Sequence, residues 1–322
     1  MRREGSPWRG LGVVIMKELG DHVRSVRMIV LGLLVVLIAG AVVYGAVEQA
    51  REATAENQFL YLLLFTTERG QVPALLSFLA ILVPLIAIGL GFDAVNGEHN
   101  RRTLSRILAQ PIYRDALLFG KFLAGVFVLS ITLIALWLMM IGWGLQRFGV
   151  PPNSEEMARA FLFLLVTIAY AGVWLALALL FSILFRSAAS AALLTLGLWL
   201  FLTMIWPILA TMIAVSIAPP DPRFLQMGLP SPGTLEWTQM LMRLSPSALY
   251  GEVAQVLLNP GIRGFGLLAQ LLPLYGGAVP GAPLPLLESL MIAWPQIVGL
   301  VAGSILLFVA GYIIFQRQEV RA

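Results

Sequence analysis

The sequence predicts an all-α polytopic membrane protein. It has six transmembrane helices, an N-terminal amphipathic interfacial helix, a short cytoplasmic helix between spans two and three, and a large external segment between spans five and six. Three observations carry this. Hydrophobic residues make up 59% of the chain and charged residues 12%, with a mean hydropathy of +0.88, far from the composition of a soluble domain. Apolar runs long enough to cross ~30 Å of hydrocarbon, about 20 residues, recur along the whole length. Finally, Lys and Arg are sorted by side, as cytoplasmic loops require.

Residues 1–27 are basic, with Arg2, Arg3, Arg9, Lys17, Arg24 and Arg27. Leu11, Ile15, Leu19, Val23 and Val26 form one apolar stripe while Lys17, Glu18, Asp21 and Arg24 take other faces, the pattern of a helix lying in the interface. Span one is 28–47, too long for the core of a secretory signal. Residues 48–70, with Glu48, Glu52, Glu56 and Glu68, read as a short external connection. Span two is 71–92, with Pro73 in its first turn and Pro84 inside.

The loop 93–115 that follows is the most strongly basic segment between two long apolar runs, with Arg101, Arg102, Arg106 and Arg114 against Asp93, Glu98 and Asp115. From Glu98 to Gln110, Leu104, Ile107 and Leu108 fall at helical spacing and Pro111 ends the pattern, so a short amphipathic helix is presented at the inner face. Span three is 116–145, and Gln146–Met157 is a turn-rich external loop. Span four, 158–185, is separated only by Arg186 and Ser187 from span five, 188–218, which makes the two an antiparallel pair; Trp206-Pro207 predicts a kink in the latter.

Residues 219–289 are punctuated by Pro and Gly and carry two helix-like pieces, Thr234–Leu244 and Ser247–Leu258. Their apolar part, 264–287, is broken too often to span, and the segment is expected at the interface or on the outer face. The last span is 290–315, where Gly299 and Gly303 allow close helix packing. With both termini inside, the inner side holds fourteen Lys and Arg residues and the outer side seven. That asymmetry fits a multi-pass protein of the cell membrane.

Several chemistries lack their residues. The one ionisable side chain expected well inside a span is Lys121, near the cytoplasmic edge and able to snorkel. There are no cysteines, and the two histidines, His22 and His99, match no metal-ligand spacing. Gly120-Lys121 lacks the upstream glycine and following Ser or Thr of a phosphate-binding loop. No catalytic, cofactor or metal residue is therefore assigned, the chain is not itself an enzyme, and its charge needs no nucleic-acid partner. Energy for uphill transport must come from another polypeptide docked on the loop.

These residues also carry a resemblance. Lys17-Glu18-Leu19 followed by Arg24-Ser25 and a span is similar to the interfacial helix of ABC-2 type (type-2 ATP-binding-cassette) transporter permeases. Glu98, Thr103-Leu104, Ile107-Leu108, Pro111, Arg114 and Gly120-Lys121 resemble that family's cytoplasmic signature, with Arg102 where glycine is usual. Leu244-Ser245-Pro246-Ser247, Tyr250 and Leu258-Asn259-Pro260 resemble a subset of these permeases. The resemblance implies a prokaryotic permease subunit, an exporter, pairing with a second permease copy or homologue and with two cassette ATPase subunits that bind the ATP. It also implies that Glu98, Arg101, Arg102, Thr103, Leu104, Arg106, Leu108, Pro111 and Arg114 form the coupling helix seated on the ATPase. Membrane lipid headgroups compete for the same arginines. A membrane-embedded assembly subunit, or a passive channel or scramblase, is the alternative.

Overall fold

The computed structural model describes residues 10–26, 28–30, 32–33, 35–37, 40–41, 44, 59–66, 74–100, 114–226, 231–261, 264 and 283–317, and its regular structure there is helical. In chain order the helices are α1 Leu11–Val23, α2 Met28–Leu37, α3 Leu60–Thr66, α4 Leu75–Gly91 and α5 Asn96–Asn100. Then come α6 Arg114–Phe148, α7 Ser154–Leu184, α8 Ala188–Ile217, α9 Pro222–Gln226, α10 Pro232–Met242, α11 Pro246–Leu258 and α12 Leu286–Arg317. Five of them, α4 (run on through Glu98), α6, α7, α8 and α12, are long and apolar enough to cross a membrane. The expected first span, 28–47, is represented by the apolar α2, and its remainder lies largely outside the described residues.

The bundle has two ends. One, the basic end, carries α1, α5, the 185–187 turn and the end of α12; the other, the far end, carries the 149–153 turn. The central helix is α7, buried without interruption from Tyr170 to Leu180 and packed against α4, α6, α11 and α12. A capping box starts it. Asn153 Oδ1 accepts from the Glu156 N–H at 2.7 Å while Glu156 Oε2 accepts from the Asn153 N–H at 2.9 Å. The other oxygen of the same carboxylate accepts the Tyr61 N–H of α3 at 2.8 Å, so one glutamate caps two helices.

The sequence reads 48–70 as a polar connection, but its second half is α3, with Tyr61, Leu62, Leu64 and Phe65 buried against the bundle. A seven-residue helix is too short to span, and its apolar residues bury instead between longer helices. The Gln146–Met157 loop is likewise helical at both ends.

Within 219–289 the two helix-like pieces are α10 and α11, which form a hairpin packed into the bundle, while residues 265–282, most of the stretch expected at the interface or on the outer face, lie outside the described residues. Thr234 Oγ1 donates to the Ala218 carbonyl at 2.7 Å, and Trp206 Nε1 donates to the Leu241 carbonyl at 2.8 Å, so α10 follows α8 down to its middle. From there α11 returns along α7, with Ser247 Oγ 3.0 Å from Tyr170 Oη and the Leu257 carbonyl on Arg159. Its Tyr250, Val253, Ala254, Val256, Leu257 and Leu258 are buried. Gly and Pro at the ends of the segment mask in the sequence how apolar α11 itself is.

Two prolines meet this hairpin. Pro84 in α4 cannot donate to the Ala80 carbonyl, and Tyr170 Oη of α7 supplies the missing donor at 2.9 Å. The Tyr170 ring stacks on Tyr250 at 4.4 Å and 6°. In α8, Pro207 follows a π-helical turn, Phe201–Ile205, where the sequence expects a kink, and Thr203 Oγ1 there lies 3.3 Å from Ser247 Oγ. Replacing Tyr170 with phenylalanine is expected to cost roughly 1–3 kcal/mol, because the Ala80 carbonyl is left unpaired. Thermal unfolding in detergent measures this, and in a Pro84→Ala background, which restores the backbone donor, the loss should shrink.

Candidate functional site

At the basic end α1 lies against α6 because Gly120 lets it approach. A Cβ at Gly120 would sit 2.5 Å from Val14 Cγ1, so no larger residue fits while α1 stays in place. One helical turn past Val14 is Glu18, which this contact carries onto Lys121.

Lys121 is buried, its side chain 3% exposed, and it does not snorkel. Its Nζ lies 2.9 Å from Glu18 Oε1 and 2.8 Å from Glu98 Oε1. Lys17 Nζ bridges the same two carboxylates from the solvent side, at 2.9 Å and 3.3 Å, and reaches Asp21 at 3.4 Å. Two lysines and two glutamates thus alternate, with charges balanced, as a buried pair needs to remain ionised. Burial pushes the Glu18 carboxyl up, but Lys121 and then Lys17 outweigh it and hold the group below its usual range. Lys17, despite the desolvation that acts against it, is raised by Glu18 and Glu98.

Glu98 is held in place by α7. Ser182 Oγ accepts the N–H groups of Val95 and Asn96 at 2.9 Å and 3.3 Å, Asn96 Nδ2 donates to the Phe185 carbonyl at 3.3 Å, and Asn100 Nδ2 to the Arg186 carbonyl at 3.1 Å. On the other side of the loop, Asp115 accepts from Tyr312 Oη at 3.1 Å and from Gln316 Nε2, while the Arg114 guanidinium lies 5.9 Å from the centre of the Phe315 ring. The two bases of the 101–113 segment are therefore tied to different helices, the entry to α1, α6 and α7 and the exit to α12.

Of the residues singled out in the sequence, Lys17, Glu18, Glu98 and Lys121 converge here. Arg114 stands at the start of α6, and Arg24 is exposed at the end of α1. Arg101, Arg102, Thr103, Leu104, Arg106, Leu108 and Pro111 lie outside the described residues. In α12, a Cβ on Gly299 would meet Leu249 Cδ1 of α11 at 3.2 Å, whereas Gly303 has nothing within 4 Å. The sequence reading did not find Ser182, Asn96 or Asn100, and it named Asp115 only among the loop's charges. Only the polar character of Ser182 near the end of an apolar run hinted at the first.

The comparison with known proteins bears on all of this. A family model described as ABC-2 family transporter protein matches residues 13–320. The chain belongs to the ABC-2 transporter family. Two curated relatives of this ABC-2 chain are each called a probable ABC transporter permease protein NosY. The one from Pseudomonas aeruginosa is 29% identical over 314 residues, covering 95% of this chain and 98% of the relative. The one from Stutzerimonas stutzeri is 26% identical over 311 residues, covering 95% and 97%. An ABC-2 permease is a multi-pass membrane protein, and the long apolar helices of this chain accord with that; the curated relatives are permease subunits, which do not themselves hydrolyse ATP.

Proposed function

We propose that the chain is the permease subunit of an ABC exporter in a prokaryotic cell membrane, with six spans, both termini cytoplasmic, and the basic end facing the cytoplasm. It pairs with a second permease copy and receives force from two separate cassette ATPase subunits. The coupling helix is 98–111, with Arg101, Arg102 and Arg106 meeting acidic groups on the ATPase. What supports this reading most is the Lys121 ammonium held between Glu18 and Glu98. A push on the coupling helix at Glu98 is shared at once with α1 and α6, and a push on its exit passes through Asp115 to α12. The broad apolar exposure of α8, with Met204, Ile208 and Met212 all uncovered, leaves a face for lipid and for the second permease.

Charge reversal tests the docking. With Arg101→Glu and Arg106→Glu combined, the yield of co-purified ATPase should fall by at least about tenfold, since a like charge facing an acidic partner costs more than 1.4 kcal/mol. Unchanged complex yield would remove the arginines from the interface.

A further inference from the structure

The hairpin places charge where the spans were expected to have none. Ser247 at the base of α11 touches Tyr170, near the middle of the 31-residue α7, and Leu257 at its top touches Arg159, near the far end. Glu252 lies between these levels, and so, with α7 taken as a span, falls in the far half of the hydrocarbon layer at ~1.5 Å per helical residue. There Arg243 Nε faces Glu252 Oε1 and Oε2 at 3.3 Å and 3.1 Å, and Gln296 Nε2 of α12 donates to Glu252 Oε2 at 2.8 Å.

Gln296 is only 2% exposed, and its Oε1 has no hydrogen-bond partner among the described residues; the same is true of the buried Ser245 Oγ two residues beyond Arg243. Glu252 and Gln255 share one face of α11, Asn259 follows at its C-cap, and Gln255 and Asn259 are exposed. A polar lane therefore runs from the depth of Arg243 to the far end of the bundle. Neighbouring outward positions are apolar, as in Met291, Trp294 and Val298 of α12 and Met204, Ile208 and Met212 of α8. An ion pair at this depth, with polar neighbours and unpaired acceptors, belongs beside water and not lipid.

We propose that Arg243, Glu252 and Gln296, continued by Gln255 and Asn259, line the outer half of an aqueous cargo path that admits solutes or headgroups bearing an ionised group. Arg243 supplies the donor and Glu252 with Gln296 Oε1 the acceptors, so a charged group entering the lane exchanges with the existing ion pair and is never left unpaired. A wholly apolar cargo would gain nothing from it. The proposal rests on the exporter reading for its sidedness only.

The native chain has no cysteine, so single thiols report cleanly. Gly251→Cys is well suited, since a Cβ there meets nothing within 4 Å. Gly251→Cys, Gln255→Cys and the control Val298→Cys of the full chain in native membranes are treated with membrane-impermeant sulfonatoethyl and trimethylammonioethyl methanethiosulfonates from each side. The lane predicts that Gly251→Cys and Gln255→Cys react with both reagents from the exterior. They should do so at least about tenfold faster than Val298→Cys, whose thiol ionises poorly in lipid. A Gly251 thiol as inert as the control from both sides would overturn the lane and leave this face dry, against lipid or a second copy. Reaction from the cytoplasmic side alone would uphold the lane and overturn instead the orientation on which the exporter reading rests.

Discussion

Lys121→Met is expected to lower stability by roughly 3–5 kcal/mol, because it removes the buried cation shared by Glu18 and Glu98 and leaves the half-exposed Lys17 bridging them. Such a loss is a large share of a typical folding free energy, so the variant should unfold several degrees lower in detergent. It should also release α1 from α6. Adding Glu18→Gln and Glu98→Gln to the same chain removes the stranded charges. Part of the stability should then return, which distinguishes an electrostatic lock from lost packing. A Lys121→Met protein as stable as the parent would show that the carboxylates protonate or rehydrate without consequence.

Arg159→Leu is expected to be as damaging at the opposite end. The guanidinium is fully buried and donates to the carbonyls of Leu257 and Leu284 and to Ser289 Oγ, joining α7 to the end of α11 and the start of α12. Each buried acceptor left without a donor costs about 1–3 kcal/mol, so the sum exceeds 3 kcal/mol. The ion pair with Glu155 adds little, since that carboxylate is 39% exposed. Amide hydrogen exchange should rise selectively at 257–259 and 284–290 while the basic end stays protected. Uniform exchange across the chain would mean that Arg159 holds the whole bundle and not this junction.

Much of the architecture was legible in the residue order. Five of the long apolar runs fall on helices long and apolar enough to cross a membrane, and Trp206-Pro207 stands directly after the π-helical turn. The site was legible as a list but not as an arrangement. Lys17, Glu18, Glu98 and Lys121 stood out separately, yet nothing in their spacing says that one ammonium sits between two carboxylates from distant segments. That depends on Gly120 admitting Val14, a tertiary contact without a local signature. The re-entrant hairpin was hidden for another reason. Its helices are too short to read as spans, and nothing local in Arg243 or Glu252 says that Gln296 of α12 meets the pair. Likewise, α3 looked like the end of a polar loop because its cap, Glu156, lies far along the chain.

A thiol at position 105 provides the sharpest test. In Ser105→Cys, the only thiol of the chain lies inside the proposed coupling helix. An impermeant thiol reagent should modify it in inverted membrane vesicles and not in intact cells, and bound cassette ATPase should protect it. Modification from the exterior of intact cells would contradict the account, because the segment tied to Glu98 and Asp115 would then face away from any ATP-hydrolysing partner.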